Sequence, residues 1–175
     1  MITIVCSTNR NNSLSFKIST QYQKLLAESN EESQIVDLYK LPADYIVSGL
    51  YENAGKNEVF NSMQDMIKAS EKVVFIVPEY NGSFPGVLKA FIDGMSYPNP
   101  LKGKKGALVG LSSGIQGAGL ALSHLSDILN YCGMHVLALK PKLAHIEKNI
   151  DVEFKITNEL YQSLLEQQVK DLIKF

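Results

Sequence analysis

The sequence has almost no net charge, few cysteines and no long apolar run. Its 17 lysines and arginines nearly balance 18 aspartates and glutamates, for a formal charge of -1. That balance gives no bulk attraction to nucleic acid or to an acidic membrane surface, so neither is expected as a partner. No apolar stretch reaches the ~18 residues of a bilayer-spanning helix. Met1-Ile2-Thr3-Ile4-Val5 lacks a positively charged flank and a cleavage pattern. It reads as a first strand, not as a secretory leader. Cys6 and Cys132 stand far apart in unlike contexts, which points to reduced thiols in a cytoplasmic protein. No metal-ligand spacing, internal repeat or low-complexity tract is found, and no metal site is expected. What remains is 45% hydrophobic and 20% charged, the composition of one globular domain over residues 1–175 with a core to bury.

Short apolar runs alternate with helical patterns. Strands are predicted at Ile2 to Cys6, Gln34 to Leu38, Val73 to Val77, Ala107 to Leu111 and His135 to Leu139. Between them, apolar residues at three-and-four spacing mark helices: Leu14, Ile18, Tyr22, Leu25 and Leu26; Val59, Phe60, Met63, Met66 and Ile67; Val87, Leu88, Phe91 and Ile92; Leu122, Leu125, Ile128, Leu129 and Cys132. A last helix carries Ile156, Leu160, Leu164, Val169 and Ile173, and Gly133 suits the residue past a helix end. Five strand–helix units imply an α/β fold, a parallel sheet between two helical layers. With right-handed crossovers, the expected strand order is 2-1-3-4-5, with a ligand crevice at the strand carboxyl ends. Residues 39–57 are too long for a plain connection and read as a lid or a subunit contact.

Three loops meet at that crevice. The first, STNRNNSLS (Ser7 to Ser15), is rich in hydroxyls and amides and holds one arginine. Backbone N–H groups at a helix start suit a phosphate, Ser7, Ser13 and Ser15 add donors, and Arg10 adds charge. Ser13 also reads as a plain helix cap. The loop lacks the lysine-ended, glycine-rich pattern of nucleotide triphosphatases and the glycine pattern of dinucleotide sites. Cys6 stands too close to Arg10 for the cysteine–arginine loop of small tyrosine phosphatases, and no acidic pair follows the first strand. The second loop follows Pro78. Asn81 and Gly82 make a turn, Ser83 can cap the next helix and Pro85 fits its first turn. Glu79, Tyr80 and Phe84 are left unexplained by that structural role. Aromatics beside free N–H groups suit a flat heterocycle. The third, SSGIQGAG (Ser112 to Gly119), combines two serines with glycines that allow close backbone approach.

PEYNGSFPGVLKAFID, residues 78–93, closely resembles a signature of the NADPH-dependent FMN reductases, a flavodoxin-like family that includes azo-, quinone- and chromate-reductases. The resemblance runs through the whole chain in element order. It implies a flavodoxin-like three-layer sandwich with FMN at the crevice. Pro78, Glu79, Tyr80, Asn81, Gly82 and Ser83 would wrap the isoalloxazine edge. Ser7, Asn9, Arg10, Ser13, Leu14 and Ser15 would hold the phosphate. Ser112, Ser113, Gly114 and Gly117 would flank the pyrimidine side. Cys6 replaces the family's usual glycine, one extra residue separates Ser7 from Arg10, and Ser15 replaces the common asparagine. Both Asn9 and Arg10 are therefore phosphate candidates. Lys89 and Asp93 match family positions and read as helix surface or interface residues.

The implied activity is ping-pong hydride transfer from NADPH or NADH through FMN to a small acceptor such as a quinone, an azo compound or a flavin. No catalytic side chain is expected, because the chemistry is the cofactor's. His124, His135 and His145 lie outside the three loops and read as structural. Dimers or tetramers are implied, with Tyr97, Pro98 and the Tyr45 to Tyr51 segment as contact candidates. Lys102 to Lys105 reads as a solvated loop. Two other readings fit the same fold: an FMN-carrying electron shuttle with a protein redox partner, and an interaction module that has lost its cofactor.

Overall fold

The computed structural model describes residues 1–175. Five strands follow the sequence pattern: β1 (Ile2–Cys6), β2 (Ser33–Asp37), β3 (Lys72–Pro78), β4 (Lys105–Leu111) and β5 (His135–Val136). A two-residue strand, β6 (Lys142–Leu143), also pairs with β4. The helices are α1 (Leu14–Glu28), α2 (Tyr45–Ser48), α3 (Glu58–Ala69), α4 (Gly86–Asp93), α5 (Gly119–Tyr131) and α6 (Glu159–Lys174). All pairings are parallel, and the order is β2-β1-β3-β4-β5, as expected.

The alternation of side chains along β3 divides the core. Val73, Phe75 and Val77 face the layer that holds α3, α4 and α5. Val74 and Ile76 face α1 and α6. All five are buried. This is why the run is apolar throughout: a central parallel strand is covered on both faces. On α1 the same logic gives a one-sided stripe, with Ile18, Tyr22 and Leu26 at 0% exposure. The chain past α5 turns as expected at Gly133, whose φ is +80°. The Gly133 N–H donates to Asn130 O and the Met134 N–H to Leu129 O, both at 2.9 Å, closing the helix end.

Two expectations change. The fifth strand does not run to Leu139. It leaves β4 after Val136 and returns at Lys142, and Gly110 N donates to Pro141 O at 2.9 Å at the point of return. Pro141 has no N–H for a ladder. The gap is filled from α6: Gln168 Nε2 donates to Leu108 O at 2.9 Å and to Leu139 O at 2.8 Å. Tyr22 Oη completes the group by donating to Gln168 Oε1 at 3.1 Å. Residues 39–57 are not irregular throughout. They hold α2 and two single-turn 3-10 segments, pinned by Tyr45 stacked 5.1 Å from Phe60. No helix of the chain is long and apolar enough to cross a membrane.

Candidate functional site

The parallel topology puts the carboxyl ends of β1, β3 and β4 side by side, so the loops after them border one cleft of about 230 Å³. Its floor and first wall come from the loop after β1. Ser13 is the α1 cap, with Oγ accepting from Phe16 N at 3.2 Å. The N–H groups of Asn11, Asn12, Ser13, Leu14 and Ser15 have no acceptor in the chain. Together with Arg10, the only arginine of the sequence, they form a cradle for an anion. Arg10 lines the cleft, and Asn9 stands outside its wall. Ser7 is fully buried, and its hydroxyl donates to Val5 O at 3.2 Å, so it shapes the floor from below. Beneath the loop, Cys6 is buried, with Sγ 3.8 Å from Ser13 Oγ. Burial, then Asp37, pushes its thiol up to about 12, which keeps it protonated and unreactive.

The second wall is a tight hairpin. Tyr80 N donates to Ser83 O at 2.7 Å and Ser83 N to Tyr80 O at 3.0 Å, with Asn81 and Gly82 at φ +51° and +74°. Both central residues lie in the left-handed region, which asparagine and glycine tolerate best. The turn expected at Asn81 and Gly82 is therefore present, but its neighbours differ. Helix α4 begins after Pro85, and Ser83 does not cap it; its Oγ lies 3.1 Å from His124 Nδ1 on α5. Only the Asn81 and Gly82 N–H groups of this turn stay unspent, since Glu79 N donates to Leu111 O at 3.0 Å and Pro78 has none. Glu79 does not offer a free carboxylate: its Oε2 accepts from Ala118 N at 3.0 Å, tying the second loop to the third. Tyr80 reaches the other way, its hydroxyl 2.8 Å from Thr8 Oγ1.

The third wall is held from within by Ser112, whose hydroxyl donates to Gly114 O at 2.8 Å and accepts from Gly117 N at 2.9 Å. That hydroxyl is spent on the loop, while Ser113 lines the cleft beside it. Gly117 is needed for packing: a Cβ there would sit 2.8 Å from the Lys142 carbonyl carbon, at φ +56°. Gly114 has open space around it.

Of the expected residues, the cleft wall gathers Arg10, Ser13, Leu14, Ser15, Pro78, Glu79, Tyr80, Ser112 and Ser113. Ser7, Asn9, Asn81, Gly82, Ser83, Gly114 and Gly117 lie behind it or beside it. Sequence reasoning passed over Thr8, Asn11, Asn12, Leu111, Ile146 and Glu147, which also line it. Thr8 sits inside the quoted loop, but its pairing with Tyr80 spans 72 residues and leaves no local pattern. Ile146 and Glu147 enter from beyond β6. Two histidines assigned a place away from the crevice in fact touch its loops: His124 at Ser83, and His145, whose Nδ1 lies 2.9 Å from Ser113 O.

A cradle of free N–H groups with one arginine fits a phosphate, and an aromatic-rimmed pair of loops with unspent donors fits a flat polar ring. Fold and cleft thus define a doubly wound α/β protein whose cleft has the donors to receive a phosphate-bearing heterocycle. The model of one family, the NADPH-dependent FMN reductases, matches residues 1–145. The chain is 34% identical over 139 residues to a 2-hydroxy-1,4-benzoquinone reductase from a Burkholderia species, covering 77% of this chain and 73% of that one. It is 33% identical over 113 residues to an NAD(P)H-dependent FMN reductase of Pseudomonas aeruginosa, covering 62% of this chain and 60% of that one. Among solved structures, the flavoenzyme NAD(P)H:(acceptor) oxidoreductase FerB of Paracoccus denitrificans superposes with a TM-score of 0.81 at 28% identity, over 99% of this chain and 94% of that one. The chain belongs to the NADPH-dependent FMN reductase family, with a flavodoxin-like fold.

Proposed function

We propose that the chain is an NAD(P)H oxidoreductase whose bound FMN accepts hydride from NAD(P)H and, once the nicotinamide has left, passes it to a small acceptor of the quinone class. The observation that carries this reading is the convergence of an anion cradle and two loops with unspent N–H donors on one cleft. Arg10, the Ser13 and Ser15 hydroxyls and the first N–H groups of α1 hold the phosphate. The Asn81 and Gly82 N–H groups, with those of Ser113 and Gly114, hold the polar edge of the ring. Fixed donors at that edge favour added negative charge without reorganising, which is how this chain assists a hydride step with no side-chain acid. The Glu79–Ala118 and Thr8–Tyr80 contacts keep the three loops at fixed spacing. Quinones are preferred over azo compounds and flavins as the first acceptor to try, because the Burkholderia relative is named for a benzoquinone. A homodimer or homotetramer fits the exposed Tyr97 and Tyr131, which border an open apolar cleft of about 520 Å³ on the α4–α5 face.

Steady-state rates test the proposal. NADPH is varied at several fixed concentrations of 1,4-benzoquinone, with FMN saturating. Parallel double-reciprocal lines are expected, since donor and acceptor use the same place in turn. Intersecting lines would contradict that sharing, and the absence of quinone-dependent NADPH oxidation would overturn the function.

A further inference from the structure

We infer that the C-terminal segment braces the third loop through His145, which makes His145 a positioning residue for the flavin ring; the inference rests on the FMN reading above. Three consecutive carbonyls of that loop are held by the residues that follow β6. Ile146 N donates to Ser112 O at 3.0 Å, and His145 N donates to Gly114 O at 3.0 Å. His145 Nδ1 lies 2.9 Å from Ser113 O. A carbonyl only accepts, so Nδ1 carries the proton in that contact.

Fixing the carbonyls fixes more than the carbonyls. In a planar trans peptide the C=O of one residue and the N–H of the next point in opposite directions. Holding the carbonyls of Ser112, Ser113 and Gly114 therefore aims the N–H groups of Ser113, Gly114 and Ile115 away from the brace. None of those three N–H groups has an acceptor in the chain. The brace thus presents a fixed array of donors next to the cleft wall that Ser112 and Ser113 form.

His145 is itself held firmly. It sits at φ +46°, in the left-handed region. Asn149 Nδ2 donates to His145 O at 2.9 Å, and Asn158 Nδ2 donates to Asn149 Oδ1 at 2.9 Å. Asn158 Oδ1 caps α6 by accepting from Tyr161 N at 3.2 Å, and Tyr161 Oη donates to Ala144 O at 3.0 Å. The family match ends at residue 145, so Asn149, Asn158 and Tyr161 all lie beyond it. The segment after the matched region completes the site.

Two variants separate the side-chain contact from backbone strain. His145→Gly keeps the left-handed conformation and removes the donor. His145→Asn tolerates the same conformation and restores a donor near the Nδ1 position. Hydrogen exchange of the Ile146 and Gly117 amides, which donate to Ser112 O and to Ser112 Oγ, is measured without FMN, then the FMN Kd by fluorescence and the midpoint potential of the bound flavin. We expect faster exchange, an FMN Kd raised about tenfold and a more negative potential in His145→Gly, with His145→Asn within about twofold of the parent Kd. A His145→Gly protein with the parent's Kd and potential would overturn the positioning role, as would an Asn variant as weak as the Gly variant. Equal exchange in all three proteins would overturn the brace itself, whether or not FMN binds. Failure of the parent to bind FMN would instead overturn the function proposed above.

Discussion

Tyr45 is buried and stacked on Phe60, yet its hydroxyl has no hydrogen-bond partner. The space it fills is left by Gly94, where a Cβ would collide with that hydroxyl. The pair is a mutual fit, and it makes a sharp test. Tyr45→Phe is expected to leave stability unchanged or raise it, because it removes a desolvated polar group that gains nothing in return. Gly94→Ala is expected to cost about 2 kcal/mol by overpacking, and much less when combined with Tyr45→Phe. Urea unfolding of the four proteins measures the coupling; additive effects would contradict the fit. Arg10 is the corresponding test at the cleft. Arg10→Ala is expected to weaken FMN binding by roughly ten- to a hundredfold, the loss of a charge-assisted contact, while Asn9→Ala changes it little. Fluorescence titration of the two variants decides between the neighbours that the sequence left open.

Among the elements, the split last strand shows what periodicity cannot reveal. His135 to Leu139 has the look of a strand, and its start does pair with β4. The departure after Val136 depends on Pro141 and on Gln168, which lies 27 residues further along and reaches in from another layer. Gln168 was legible only as one polar residue in a helix, yet it is fully buried and serves two carbonyls and a tyrosine hydroxyl. Gln168→Leu would leave those groups unpaired, and a loss of about 3 kcal/mol is expected from the urea midpoint. A change below about 0.5 kcal/mol, the range of an ordinary surface substitution, would mean that the gap is not held by this side chain. By contrast β3 and α1 were readable in full, because their partners are generic: any apolar layer satisfies Val73 to Val77. The same contrast holds in the second loop. Asn81-Gly82 announces its turn locally, whereas the engagement of Ser83 with His124 and of Glu79 with Ala118 is set by a third element.

For the whole molecule, the buried acids set an alkaline limit. Burial raises the Cys6 thiol from 9.0 to about 12, and burial followed by Asp93 raises the Tyr45 hydroxyl from 10.0 to about 12. Burial also raises the Tyr22 hydroxyl. Each group stays protonated in the fold at pH values where the unfolded chain has begun to release its proton. The folded state then binds more protons, so stability falls as pH rises, from about pH 9 toward 12. The urea midpoint is expected to be lower at pH 10.5 than at pH 8; an unchanged midpoint would mean that these groups are not desolvated as the fold implies.

The layer order, the strand order and the three converging loops were all legible from the apolar pattern and the loop composition. The assignment of individual donors was not, because it depends on which N–H groups the loops spend on one another. The central claim, that these loops hold FMN for reduction by NAD(P)H, is tested most directly by titrating the purified protein with FMN and then adding NADPH without oxygen. Saturable quenching of flavin fluorescence, followed by complete bleaching of the visible spectrum, is the expected result. A protein that leaves FMN fluorescence unchanged, or that binds FMN and does not bleach it with NADPH or NADH, would contradict the account.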